Sequence, residues 1–277
     1  MALVPFPSPA NKPAGSDSDP DWDDDEHESS GADGRMSFLE HLDELRKRII
    51  RALIGVGIGF AIAIAFLNPL YVFVIGPMHA LLKPGQQLIF TDPSEAMMIK
   101  LKIALIAGIL AASPLVMSQV WLFISPGLYT HEKKAAVPFV IFSSSLFVAG
   151  AAFAHYYVFP LTYQFMGSFA DDMLSYMPRV EPTFSLWMKL VLTFGLVFQM
   201  PALVLFLAKL GLVTARFLWR NFKYAVLIIS IVGAVLSPGT DPVGQIALSV
   251  PMIFLYLLSI VLAWIFGKKR DAEPVEE

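Results

Sequence analysis

Residues 119–134 read QVWLFISPGLYTHEKK, and the fold turns on this stretch. Trp121 and Phe123 close one long apolar run. Ser125-Pro126-Gly127 then interrupt the backbone, and Tyr129, His131 and Glu132 precede Lys133 and Lys134, which open the next run. Proline removes a helix donor and glycine tolerates left-handed conformations, so the turn falls at 125–127. Trp and Tyr beside lysines are what a membrane–water interface selects. The stretch therefore predicts a loop at a membrane surface, carrying a carboxylate and an aromatic cluster between two membrane spans.

The chain on either side agrees. Its 277 residues are 56% hydrophobic with a mean hydropathy of +0.63, too apolar for a soluble domain and too long for a single anchor. Upstream of the loop lie apolar runs at 49–67 and 103–124; downstream lie 135–159, 183–208, 222–236 and 243–266. Arg51 interrupts the first run close enough to its end to snorkel, and Lys189 breaks the fourth. Six helices are the simplest count, so the fold class is an all-α polytopic membrane bundle. Gly55 and Gly59 form a GxxxG that permits close helix approach in ordinary packing. Pro114, Pro201 and Pro251 fall inside helical runs, where they predict kinks.

Local signals mark several helix starts. Ser37-Phe38-Leu39-Glu40 fits a capping box. Phe38, Leu42, Leu45 and Ile49 form an apolar stripe, with Glu44, Lys47, Arg48 and Arg51 off it, so this segment lies along the surface before it dives. The connector at 68–94 is punctuated by Pro69, Gly76-Pro77 and Pro84-Gly85. Asp92-Pro93-Ser94-Glu95 then reads as cap, first-turn proline and N3 glutamate of the second span. Asp241-Pro242 repeats the cap-plus-proline signal before the sixth.

Three parts follow: an acidic tail at 1–35, a helical membrane domain at 36–266 and a short tail at 267–277. The first holds nine acids, including Asp23-Asp24-Asp25-Glu26, against Lys12 and Arg35, with too little apolar surface to offset chain entropy, and is expected to be disordered. It lacks the apolar core of a secretory signal, so the first span is expected to be retained as an anchor. The remainder carries eighteen basic against fourteen acidic residues. An N-terminus inside puts thirteen Lys and Arg at cytoplasmic flanks against five outside, which favours both termini in the cytoplasm. The chain has no cysteine, which excludes disulfide and thiolate chemistry.

No catalytic constellation is present. His131-Glu132-Lys133-Lys134 lacks the second histidine of a zincin, and no nucleophile elbow or Walker loop occurs. Ser143 to Ser145 and His155 share one run but stand about 15 Å or more apart along a helix. A secondary transporter is the rival class, yet neither internal repeats nor paired broken helices appear.

Two carboxylates carry the stronger hypothesis. Glu44 has a bland reading as an i,i+4 partner of Arg48, and Glu132 as a favourable charge at a helix N-terminus. Together they place two acids on a basic, membrane-apposed surface, where bidentate recognition of guanidinium groups is natural. Gln199 is a strongly polar side chain well inside the fourth run. A helix–helix hydrogen bond accounts for it, as does a backbone carbonyl freed by Pro201.

These residues bring a family with them. HLDELRKR at 41–48, the stretch at 119–134, FSSSLFVAGAAFAHYYVFP in the third run, FGLVFQMP in the fourth and SPGTDP before VPM closely resemble TatC. That family is the polytopic receptor of the twin-arginine protein translocase, and the resemblance covers about residues 37–266. It implies six helices in a curved, glove-like bundle in the bacterial cytoplasmic membrane, whose cytoplasmic face binds the twin-arginine signal peptides of folded export substrates. It also implies partners of the TatA and TatB type, each with one membrane helix and an amphipathic helix, self-association within the complex, and no cofactor, enzymatic role or nucleic acid. By the same resemblance the signal-contacting glutamates match Glu44 and Glu132, the loop aromatic Phe123 and the critical arginine Arg46. Pro77 matches a proline of the external loop, Pro114 one of the second helix and Asp241 the acid before the sixth. Where many members carry a glutamate in the fourth helix, this chain has Gln199, read with Pro201 as a docking point for a partner's membrane helix.

Overall fold

The computed structural model describes residues 38–82, 87–124, 133–168, 177–237 and 242–267. Helix α1 (Phe38–Ala65) runs 28 residues without a break. Its two faces differ sharply. Gly55, Gly59 and Ala63 are buried, whereas Ile54, Ile58 and Ile62, each one position earlier, are 57–58% exposed. The small-residue stripe meets α3 (Pro93–Ala111): a β-carbon on Gly59 would lie 2.6 Å from the Gly108 carbonyl oxygen. That approach needs glycine on both helices, and the isoleucine stripe is left for lipid.

The connector after α1 is not the punctuated loop its prolines predicted. It begins with a helix, α2 (Leu67–Ala80), with Pro77 inside it. Val74 and Met78, one turn apart, are buried in the core, and Phe73 stacks on His155 with ring centroids 4.6 Å apart. Packing of this face outweighs the local penalty of the proline. Asp92 caps α3 as its sequence predicts: Ser94 donates to the carboxylate from its hydroxyl at 2.7 Å and its amide at 2.8 Å. Those bonds hold the Asp92 carboxyl below its ordinary range.

The second span bends by 55° at Ala112, where α3 gives way to α4 (Ser113–Ile124) just before Pro114. A lost amide and ring clash explain the break. The third span outruns its predicted end at Phe159. α5 (Lys133–Phe153) passes through a π turn, Ala154–Val158, into α6 (Phe159–Gly167). Pro160 lies just beyond the π turn, and its ring disturbs the carbonyls one turn back. The fourth span is α7 (Val180–Val197) and α8 (Gln199–Lys209), interrupted at Phe198 before Pro201. A short helix α9 (Ala215–Arg220) leads to α10 (Phe222–Leu236), the predicted 15-residue span, and α11 (Pro242–Phe266) follows. α11 continues through Pro251, which lies inside the helical run as its sequence predicts.

Four described helical stretches are each long and apolar enough to cross a membrane; the bent α3–α4 pair and the shorter α10 complete the six. The main core gathers Phe159, Phe184, Trp187, Leu190, Phe194 and Met252 from the later spans around Ile99, Ile103 and Ile106 of α3. At the end away from the α4–α5 junction, an isolated parallel bridge ties Ile89 to Arg179. The Ile89 amide donates to Pro178 at 3.1 Å, and the Val180 amide donates to Ile89 at 2.9 Å.

Candidate functional site

Glu44 lies in the second turn of α1, and Arg48 one turn later reaches back to it. Arg48 Nε donates to Glu44 Oε1 at 2.9 Å, and Arg48 Nη2 contacts the same oxygen. Both side chains are only 15–20% exposed. Glu44 Oε2 is buried and has no partner among the described residues. A half-desolvated carboxylate with one free oxygen favours a further charged donor over an apolar neighbour. Three residues before Glu44 on the same face, His41 stacks on Phe123 of α4, with centroids 4.5 Å apart and planes 18° from parallel. The stack brings the end of the second span against the start of the first, beside the carboxylate.

The other predicted residues divide. Arg46 is exposed, directed away from the Glu44–Arg48 pair's sheltered face. Glu132 and Asp241 lie outside the described residues. Phe123 sits beside the Glu44 turn, stacked on His41, whereas Trp121 is not interfacial: it is 5% exposed and packs on Phe139 and Phe206. Its indole donates to Ser143 Oγ at 3.0 Å, which gives the ring's polar edge a partner inside the bundle.

Ser143 also receives the fourth span. Gln199 Nε2 donates to the Ser143 carbonyl oxygen at 2.9 Å, while Gln199 Oε1 is buried without a partner among the described residues. Thus α4, α5 and α8 meet at Ser143, which in the sequence is only a serine too far from His155 to be a nucleophile. A small serine facing a tryptophan and a glutamine in two other apolar runs was its only sequence signal. Pro201 is fully buried two positions after Gln199, Pro114 follows the bend of the second span, and Pro77 lies in α2.

The sequence profile of the family described as Sec-independent protein translocase protein (TatC) matches residues 40–251. The chain belongs to the TatC family. It is 40% identical over 242 residues to the Sec-independent protein translocase protein TatC of Desulforapulum autotrophicum, covering 87% of this chain and 89% of that one. The TatC of Aquifex aeolicus is 37% identical over 239 residues, covering 85% and 98%. A crystal structure titled twin arginine translocase receptor TatC superposes with a TM-score of 0.71 at 37% identity, covering 81% of this chain and 98% of that chain. A second crystal structure of the receptor, in the detergent DDM, gives 0.73 at 35% identity, covering 83% and 100%. The TatC match begins at residue 40, so the acidic stretch at 1–35 lies outside it, while Glu44, Phe123, Gln199 and Asp241 all lie within.

Proposed function

We propose that this chain is the receptor subunit of a twin-arginine translocase, binding twin-arginine signal peptides of folded proteins on the face formed by the start of α1 and the end of α4. The single observation that carries this reading is the buried Oε2 of Glu44, without a partner among the described residues, beside the His41–Phe123 stack. A guanidinium is planar and presents paired donors, so a carboxylate with one oxygen open in a sheltered setting takes it in preference to an ammonium. Glu132 supplies the second carboxylate, one for each arginine of the pair, and Phe123 packs on the apolar residues that follow. Arg46 enters this reading through the family resemblance, its side chain exposed on the other face of the same turn of α1.

The excess of Lys and Arg at one set of span ends supports an orientation with both termini in the cytoplasm, so the peptide arrives from that side. The subunit acts by binding and assembly rather than catalysis. Gln199, about 15 Å along α8 from Lys209, offers its carbonyl oxygen, without a partner among the described residues, to a polar side chain of a TatA- or TatB-type membrane helix, with buried Pro201 packed two positions on. An amide does not titrate, so coupling to the proton motive force does not pass through protonation at this position. The test is equilibrium binding of a twin-arginine peptide and its Lys-Lys variant to membranes holding the full chain. The arginine peptide is expected to bind at least about ten-fold tighter; equal affinity for the two peptides removes the proposal.

A further inference from the structure

Between the fourth and fifth spans the chain carries Lys209, Arg216, Arg220 and Lys223, and no acidic residue occurs from Pro182 through Thr240. All four cations are exposed, and none forms an ion pair among the described residues. Their mount is firm. Thr214 Oγ1 caps α9 by accepting from the Phe217 amide at 3.2 Å, Asn221 Nδ2 donates to the Phe217 carbonyl at 2.9 Å, and the Tyr256 hydroxyl of α11 donates to the Leu218 carbonyl at 2.9 Å. Leu218 faces inward, and its neighbours Phe217 and Trp219 are 58% and 65% exposed. Arg216 and Arg220, four residues apart on one helical turn, project together. Leu212 and Tyr224 extend the exposed apolar surface on either side.

The helix that follows is short. Fifteen residues of α10 reach about 22 Å, against about 30 Å of hydrocarbon. The headgroup plane on one or both sides must therefore be drawn toward α10, and α9 stands at its base. We propose that Lys209, Arg216, Arg220 and Lys223, with Phe217 and Trp219, form a binding site for acidic phospholipid that fastens the thinned bilayer to the short fifth span. The cations take the phosphate, and the aromatic rings lie against the upper acyl chain. An acidic peptide would neutralise the cations but leave Leu212, Phe217 and Trp219 in water, so the apolar exposure selects lipid. The site depends on α8 and α10 spanning the membrane and not on the peptide-binding reading; its assignment to the cytoplasmic leaflet does rest on the orientation proposed above.

The test is native mass spectrometry of the full chain purified from mixed phosphatidylglycerol and phosphatidylcholine of identical acyl chains. Wild-type protein is expected to retain phosphatidylglycerol with a preference of about ten-fold. The combined Arg216→Gln, Arg220→Gln and Lys223→Gln variant is expected to lose most of it, and Arg216→Lys with Arg220→Lys to keep it. No preference in the wild type, or an undiminished preference in the glutamine variant, overturns the site. A preference that appears only after removal of residues 1–35 assigns the cations to the acidic segment instead and also overturns it, as does displacement of the lipid by millimolar inorganic phosphate. Should the glutamine variant not fold, quenching of Trp219 by acyl-brominated phosphatidylglycerol, read as wild type minus Trp219→Phe, decides: quenching no stronger than by brominated phosphatidylcholine refutes the proposal.

Discussion

Two glutamate–arginine pairs stand at opposite ends of the bundle, and they are built differently. Glu44 and Arg48 belong to one helix, four residues apart. Glu95 and Arg179 are separated by 84 residues: Arg179 Nη2 donates to Glu95 Oε1 at 2.9 Å and to Thr91 at 2.7 Å, next to the bridge from Ile89 to Arg179. Lys102 and Glu181 lie 3.6 Å apart between the same two helices, α3 and α7. Opening the first pair moves one side chain and leaves every span where it was. Opening the second removes one of the ties between the loop before α3 and the loop before α7, beside the Ile89 backbone bonds. A local pair can exchange its arginine for a visiting one, whereas a long-range pair is a fastener, and the position of the two charges along the chain decides which.

The sharpest way to break this comparison is to remove the local carboxylate. Glu44→Ala, and separately Glu132→Ala, are each expected to weaken twin-arginine peptide binding by about 1.5–3 kcal/mol, the worth of hydrogen bonds to charged groups, with thermal stability little changed. Wild-type affinity in the double variant, measured at fixed salt in membranes, would end the assignment. Arg179→Ala should do the reverse. It removes the Glu95 carboxylate's arginine donor at the outer end of the bundle and is expected to lower the midpoint of thermal unfolding slightly, as for an exposed pair, while peptide affinity stays put. A drop in peptide affinity without a lower midpoint of thermal unfolding would show that the outer pair is not simply a fastener.

Gln199→Ala is expected to cost about 0.6 kcal/mol of partner contact, the average for hydrogen bonds inside membranes, so assembly weakens without being lost. Gln199→Leu should do more harm, since it adds bulk as well as removing the bond. Disulfide cross-linking between cysteines near Gln199 and along a TatA- or TatB-type helix reads both; unchanged cross-linking leaves Gln199 as a strut on Ser143. Arg48→Gln sharpens the comparison from the other side. With its own arginine gone, Glu44 should bind the peptide a few-fold tighter, in line with about 0.2–1 kcal/mol for a partly exposed pair; weaker binding would make Arg48 a positioning partner rather than a competitor. The smallest effect is expected from deleting residues 1–35, which lie outside the family match. A chain beginning at Met36 should transport within about two-fold of wild type at equal protein level, as expected for a solvating charged segment.

The boundaries most legible in sequence were those set within one helical turn. Asp92 caps α3 as its pattern demands, α10 runs over the 15 predicted residues, and the second span bends beside Pro114. Prolines alone were poorer guides. Pro77, read as loop punctuation, sits within α2, because packing of Val74 and Met78 outweighs one missing amide. At the site, Glu44 and Phe123 were visible as residue types, but the His41 stack that joins them was not. Nor was the burial of Trp121, since an aromatic near a span end suits the interface and the core equally.

The sequence by itself determined the membrane class, the six spans and the family, since apolar length, caps and motif order are all written locally. Tertiary structure decided which face of each span meets protein. On α1 the GxxxG of Gly55 and Gly59 already offered a close-approach face, and the structure added its partner, Gly108 of α3, and left Ile54, Ile58 and Ile62 exposed on the other side. Lipid tails are as apolar as leucine, so no hydrophobic drive sorts the two; close packing and paired polar groups do. For that reason the meeting of Trp121, Ser143 and Gln199, the seat of His155 beneath Phe73, and the burial of Glu44 beside the His41–Phe123 stack emerge only when the spans are brought together.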